Sequence, residues 1–312
     1  MDSLDKLKTE EDNLVLYFAG LPGFRRIFSR DNLISGILMR DSEMLKDQLI
    51  FCAKTQGKKK NPMTGEEPGK IIHEYPGFNL RGYFTTYNAC DTTALYLIAH
   101  EIYLDLKNDK TLLDIQKENI EKAANYIISH LKDGLFSEGP EFWDAEDSSL
   151  KVTYWKDSEI VKRNDGKPKY PVVYVLVHIQ NLCGLRAAAK ILASEEIKKA
   201  AELMTQSLEK LYDKDTGVFY IAVDKEGPIQ GITSDSLHAL FYLNPEDLSE
   251  AQIKNIVKAS KVLESSFGYR TSGIKGSKYG KYDYSLQIWP FEQAIIHAGA
   301  KKFGLEEVEE VS

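Results

Sequence analysis

The stretch "DYSLQIWPFEQAII" (residues 283–296) places one carboxylate, Glu292, between Trp289-Pro290-Phe291 and the apolar Ala294-Ile295-Ile296. Proline is favoured at the first position of a helix, so the pattern predicts a helix starting at Pro290. Positions 292, 295, 296, 299 and 303 then share one face, and Glu292 heads it. Three more acids stand in the same relation to apolar helical segments. Asp31 follows Arg30 in "FSRDNLISGIL", Asp91 opens "DTTALYL" and Asp235 lies in "TSDSLHALFYL". Asp and Glu favour first helical turns through capping and the macrodipole alone, so any one of them says little. Together they would ring one mouth if their helices start on the same side. A first-turn carboxylate is favoured in its ionised form by the helix dipole, which suits Glu292 to the work of a general base. Asp91 and Asp235 stand next in line for that role.

A further acid falls in a loop. "TYWKDSEIV" (153–161) sets Asp157 two residues after Trp155, and "SEGPEFWDAEDS" (137–148) sits just upstream. Aromatic rings beside acids suit sugar: rings stack on the apolar face of a pyranose, and carboxylates take its hydroxyls. Glycoside hydrolysis needs two carboxyl groups of different acidity. Tyr154 and Trp155 would desolvate Asp157 and favour its protonated form, that of a general acid, while Lys156 and Lys162 would oppose this. Inverting hydrolysis then requires carboxyl groups about 6.5–9.5 Å apart. Trp155 and Trp289 are candidates for a wall of the pocket. Asp235 and His238 share one predicted inner helix and are candidates for substrate contact.

Other chemistries find less support. His73, His100, His130, His178, His238 and His297 show no metal-ligand spacing, and "HEIYL" (100–104) lacks the second histidine of a zinc-protease helix. No glycine-rich phosphate loop is present, and no nucleophile elbow surrounds Ser158. Neither metal nor cofactor is expected. A formal net charge of −7 argues against a nucleic-acid partner, whose phosphates need a basic face. No apolar run is long enough to cross a bilayer and no secretory leader is evident, so a cytoplasmic protein with no membrane partner is expected. Cys52, Cys90 and Cys183 are odd in number and lie in apolar contexts, as buried free thiols do.

The elements that must hold these residues are mainly helical. The periodicity predicts helices at roughly 31–54, 91–107, 113–132, 172–191, 195–213, 233–244, 250–266 and 290–304, with one strand-like run at 217–223. Segments 91–106, 170–189, 233–243 and 289–300 are apolar over most of their circumference, as enclosed helices are. Segments 113–131, 194–212 and 249–267 carry one charged face. Enclosed and amphipathic helices alternate. An inner ring of helices within an outer ring explains that alternation, so the expected class is all-α, an (α/α)6 toroid, in a single domain over 1–312. Two long loops, about 55–90 and 134–171, would lie at its mouth.

"FSRDNLISGIL", "GKIIHEYP", "YNACDTTALYL", "YWKDSEIV" and "YSLQIWPFEQAIIHAGA" occur in the order of motifs in the amylo-α-1,6-glucosidase-like glycosidases, the catalytic domains of glycogen-debranching-type enzymes. Over about residues 25–305 the chain resembles that family, and more distantly trehalases and hydrolases of glucosyl- or mannosylglycerate. The resemblance implies a six-hairpin toroid and an inverting exo-acting glycoside hydrolase that needs no metal. Asp157 matches the general acid, and Glu292 matches the carboxylate after Trp-Pro. Arg30, Asp31 and Asp91 match residues that hold the hydroxyls of the bound sugar. The substrate implied is a small α-glucoside or a glucan branch. Val152-Thr153-Tyr154 replace the usual Asn-Gln-Gly, and the chain is short for the family. Two other readings stand beside this one. A sugar epimerase or isomerase on the same toroid would need His178 and His238 facing each other. A non-catalytic carbohydrate-binding protein would need the aromatics without an opposed acid and base.

Overall fold

The computed structural model describes residues 4–80, 82–139, 153–156, 169–272 and 287–312. Contacts divide the chain into two compact units. One comprises Met1–Leu131, Pro140–Trp155 and Asn181–Glu202; the other comprises Lys132–Gly139, Lys156–Gln180 and Leu203–Ser312.

The first unit begins with an antiparallel sheet in the order β1 (Lys8–Glu11), β2 (Leu14–Gly20), β3 (Phe24–Phe28), β4 (Glu74–Tyr75). Asp12 and Asn13 join β1 to β2 with φ of 51° and 61°, the left-handed pair that a tight hairpin turn requires and that Asp and Asn tolerate. Leu14, Leu16 and Ile27 turn inward and pack on Phe51 and Ile72. Helices α1 (Ser29–Met39) and α2 (Ser42–Lys54) follow where one helix over 31–54 was expected. The break has a local cause. Arg40 closes α1 in the left-handed region at φ 51°, and the Asp41 carboxylate accepts the N–H groups of Glu43 and Met44 to start α2. Helix α3 (Thr92–Lys107) is buried from Thr92 through His100, and α4 (Thr111–Ser129) packs beside it with one buried face. Within this unit Gly184 of α5 (Val175–Leu192) lies against Ala94 of α3, where an added Cβ would come within 3.0 Å of the Ala94 Cα.

The second unit carries the first residues of α5 and the last of α6 (Glu195–Leu211), and then α7 (Asp235–Ala239), α8 (Glu250–Ser260) and α9 (Pro290–Phe303). Helix α7 is shorter than the 233–244 pattern. After Ala239 the backbone tightens, with Phe241 N–H donating to His238 O and Tyr242 N–H to Ala239 O, both i to i−3. Helix α8 opens on a capping box of Ser249 and Gln252. Helix α9 starts at Pro290, as the sequence predicts, and closes on Gly304 at φ 66°.

The all-α expectation is therefore corrected to a helical fold that also contains sheet. Besides the N-terminal sheet, short strands form where the chain turns between helices. Leu131–Lys132 pairs with Leu135–Phe136 across Asp133-Gly134, both at positive φ. The strand-like run 217–223 contributes Val218–Phe219 to one such pair and the start of Ala222–Asp224 to the middle of a three-stranded sheet. Hydropathy periodicity misses strands of two or three residues because a period of two cannot be recognised over that length. No helix among the described residues is long and apolar enough to cross a membrane.

Candidate active site

Glu292 occupies the first turn of α9 and is fully buried. Its neighbour Gln293 anchors that turn: the side-chain Oε1 accepts the Tyr269 N–H at 2.8 Å and Nε2 donates to the Tyr269 carbonyl at 3.0 Å. The Glu292 carboxylate is asymmetrically engaged. Oε1 accepts the Ser234 hydroxyl at 2.6 Å, lies 3.4 Å from His238 Nδ1 and 3.5 Å from Lys156 Nζ. Oε2 is buried and has no hydrogen-bond partner among the described residues. Burial alone would push the Glu292 carboxyl up. The charge of Lys156 and the contacts from His238 and Ser234 outweigh it and hold the group below the ordinary carboxylate range. The geometry is that of an ionised carboxylate with one oxygen tied down and the other available to accept a proton.

Asp235 begins α7 and is buried, paired with Lys156 at 2.8 Å. His238, one turn further along α7, is fully buried and stacks on Tyr242 with ring centroids 5.8 Å apart. Thus Glu292, Asp235 and His238, separately singled out in the sequence, are brought into one cluster around a lysine that the sequence reading used only as a neighbour of Asp157. Lys156 sits between the tryptophan and the acid of "YWKDS", a position that marks the segment but not its partners. Asp157 itself lies outside the described residues. Trp289, preceding α9, is about one-third exposed and meets Phe291 edge to face at 6.4 Å.

The first unit holds the other candidates. Arg30 Nε donates to both oxygens of Asp91, at 3.0 and 2.8 Å, and its Nη2 lies 3.4 Å from the Thr153 carbonyl. Asp91 is buried and precedes α3, but its side chain makes no cap hydrogen bond; the carboxylate is turned to Arg30 instead. Asp91 is therefore placed to orient Arg30. Asp31 differs. It is open to solvent, yet protein crowds it closely enough that burial pushes its carboxyl up to about 6, against the pull of Arg30. His73 of "GKIIHEYP" is also placed here: its carbonyl accepts the Ser29 N–H at 2.8 Å, and its ring meets Phe28 edge to face at 5.3 Å. Trp155 is half-buried in this unit beside the buried Tyr154.

His178 takes no part in such a cluster. Its Nδ1 accepts the Phe136 N–H at 3.2 Å, and its Nε2 lies 3.3 Å from the Met204 carbonyl and 3.2 Å from Ser207 Oγ. Burial pushes its pKa down to about 4. A neutral ring with both nitrogens engaged is a core histidine.

No family model and no curated protein matches the sequence. Solved structures do match in fold. The GH63 mannosylglycerate hydrolase of Thermus thermophilus, in complex with Tris and D-glycerate, aligns over 99% of this chain and 87% of its own with a TM-score of 0.69 and 12% identity. A Klebsiella oxytoca rhamnosidase with rhamnose bound aligns over 95% of this chain and 50% of its own, TM-score 0.59, 12% identity. The GH78 rhamnosidase of Bacillus sp. GL1 aligns over 91% and 26%, TM-score 0.57, 10% identity. The chain has the fold of these glycoside hydrolases.

Proposed function

We propose that the protein is an inverting, exo-acting glycoside hydrolase, with Glu292 as general base and Asp157 as general acid. The observation that carries this reading is the Glu292 carboxylate: buried, held ionised, with Oε1 saturated and Oε2 available to take a proton from water. Asp157 is joined through one peptide bond to Lys156, whose ammonium meets Glu292 at 3.5 Å. In the reaction, Glu292 would accept a proton from a water attacking the anomeric carbon while Asp157 protonates the departing oxygen. Asp31, open to solvent, would take a sugar hydroxyl, with Arg30 oriented beside it by Asp91. Trp155 and Trp289 would supply stacking surfaces.

The substrate proposed is a small glycoside. The fold likeness supports this through the hydrolase named for mannosylglycerate, which is matched over most of its own length. The six-hairpin toroid expected from the alternation of helices belongs to the same proposal. The test is a panel of mannosylglycerate, glucosylglycerate and small α-glucosides incubated with the enzyme, with the first-formed anomer read by proton NMR before mutarotation. Inversion at the anomeric carbon is expected. A retained anomer would overturn the mechanism, and binding without any turnover would leave a carbohydrate-binding protein.

A further inference from the structure

The ammonium of Lys156 is buried among four oxygens. It lies 2.8 Å from Asp235 Oδ1, 2.6 Å from Ser234 Oγ, 3.2 Å from the Thr271 carbonyl and 3.5 Å from Glu292 Oε1. An ammonium has three protons to give. Among the described residues the three nearer oxygens lie within hydrogen-bond distance of it, and Glu292, the furthest, is reached by its charge. Ser234 supplies the missing bond. Its Oγ accepts from Lys156, and its own proton is then directed outward, to Glu292 Oε1 at 2.6 Å. The Ser234 hydroxyl is also 3.3 Å from the Thr271 carbonyl, but that oxygen already receives Lys156 and the Ser234 N–H. The order Lys156 to Ser234 to Glu292 is therefore a directed chain in which each donor is fixed by the one before it.

We propose that Lys156 is a positioning residue for Glu292: through Ser234 and through its own charge it fixes which carboxylate oxygen is tied down and which one faces the reaction. This rests on the reading of Glu292 as the base and extends it to the residue that controls the base. The groups facing Glu292 from each packed element are consistent with this. The described segment ending at Lys156 brings that lysine here, and α7 brings Ser234 at its start, Asp235 and His238. Among the described residues, Lys156 is the lysine of this cluster. Asp235 pairs with it at 2.8 Å. Removing the lysine would take away the cation that the described residues set between two buried carboxylates, which favours a proton on one of them.

The test uses purified full-length protein and needs no natural substrate. With glutamate labelled at the side-chain carboxyl by carbon-13, the Glu292 resonance is assigned by its loss in Glu292→Gln and followed as pH is changed. Wild type and Lys156→Arg should titrate at the same low pH, and Lys156→Met about 1–3 pH units higher. Because loss of a buried cation can compromise folding, Lys156→Met/Asp235→Asn is measured beside it; it removes one carboxylate with the lysine and should still titrate above wild type. In parallel, fluoride release from α-D-glucopyranosyl and α-D-mannopyranosyl fluoride is followed against pH. Fluoride departs without help from a general acid, so the rate reports the base. The acidic limb of kcat/KM should move with the carboxyl titration, with KM little changed. An unmoved Glu292 titration in Lys156→Met and in Lys156→Met/Asp235→Asn would overturn the proposal. A Glu292→Gln enzyme of wild-type rate would overturn the reading of Glu292 as the base instead, and leave the titration result standing.

Discussion

Glu292 is a carboxylate with no solvent exposure whose environment nevertheless favours its charge. Replacing it by Gln keeps the shape but removes the proton acceptor. Turnover is expected to fall by about 10²–10⁴, the usual contribution of general-base catalysis, measured as kcat on any substrate of the panel. The structure also assigns the substitution a stability cost, because Lys156 keeps Asp235 but loses the charge of a second carboxylate. That cost is about 1–3 kcal/mol at neutral pH, read from denaturant melts. Its pH dependence has a definite sign. A carboxyl depressed in the folded state contributes stability above its unfolded pKa, and that contribution is lost as pH falls through the folded value. The gap between wild type and Glu292→Gln should therefore narrow below the ordinary carboxylate range. Asp31 moves the other way: burial raises it to about 6. If its carboxylate accepts a sugar hydroxyl, KM should rise as pH falls through about 6, and Asp31→Asn should have a high KM with no such step. At this scale the sequence was legible where one residue carries its own signal. Pro290 and the apolar stripe announced Glu292, but Lys156 gained its role from partners far along the chain, which no local pattern encodes.

The elements place these groups through a few close contacts. Gly268 has φ of 120°, a region that side chains strain to adopt, and an added Cβ would collide with the Gln293 side-chain amide that clasps Tyr269. Gly268→Ala is expected to destabilise the protein by about 1–3 kcal/mol and to reduce kcat while KM changes less, because the clasp holds the first turn of α9. Thermal melts and steady-state kinetics on the same preparation check both parts. A variant that lost stability with kcat unchanged would show that the clasp does not position Glu292. Helices α3, α4, α6, α8 and α9 were legible because 11 to 19 residues suffice for a period of 3.6 to declare itself. The break between α1 and α2 was not, since it depends on Arg40 adopting a left-handed conformation more usual for Gly or Asn. The N-terminal sheet was hidden for a related reason. Its first strand, Lys-Thr-Glu-Glu, has no apolar alternation because it is an edge, where charge guards against pairing with another chain.

Across the whole molecule, the fold likeness is distributed unevenly among the hydrolases it matches. It takes in 87% of the mannosylglycerate hydrolase but 50% and 26% of the two rhamnosidases, so what is shared with the latter is one part of larger chains. At 10–13% identity the likeness carries the architecture, and chemistry must be argued from side chains. The two carboxylic residues proposed for the reaction can be separated by choice of leaving group. A glycoside whose leaving alkoxide needs a proton depends on both acid and base, whereas a glycosyl fluoride depends on the base. For Asp157→Asn, kcat on the glycoside of the panel that turns over fastest is expected to fall by about 10²–10⁴, while fluoride release from the matching glycosyl fluoride stays within about tenfold of wild type. Glu292→Gln should lose both activities. Equal loss on both substrates in Asp157→Asn would show that Asp157 does not act as the proton donor. Loss on the glycoside in Asp157→Asn together with loss on both in Glu292→Gln would assign the two halves of an inverting displacement to the two residues.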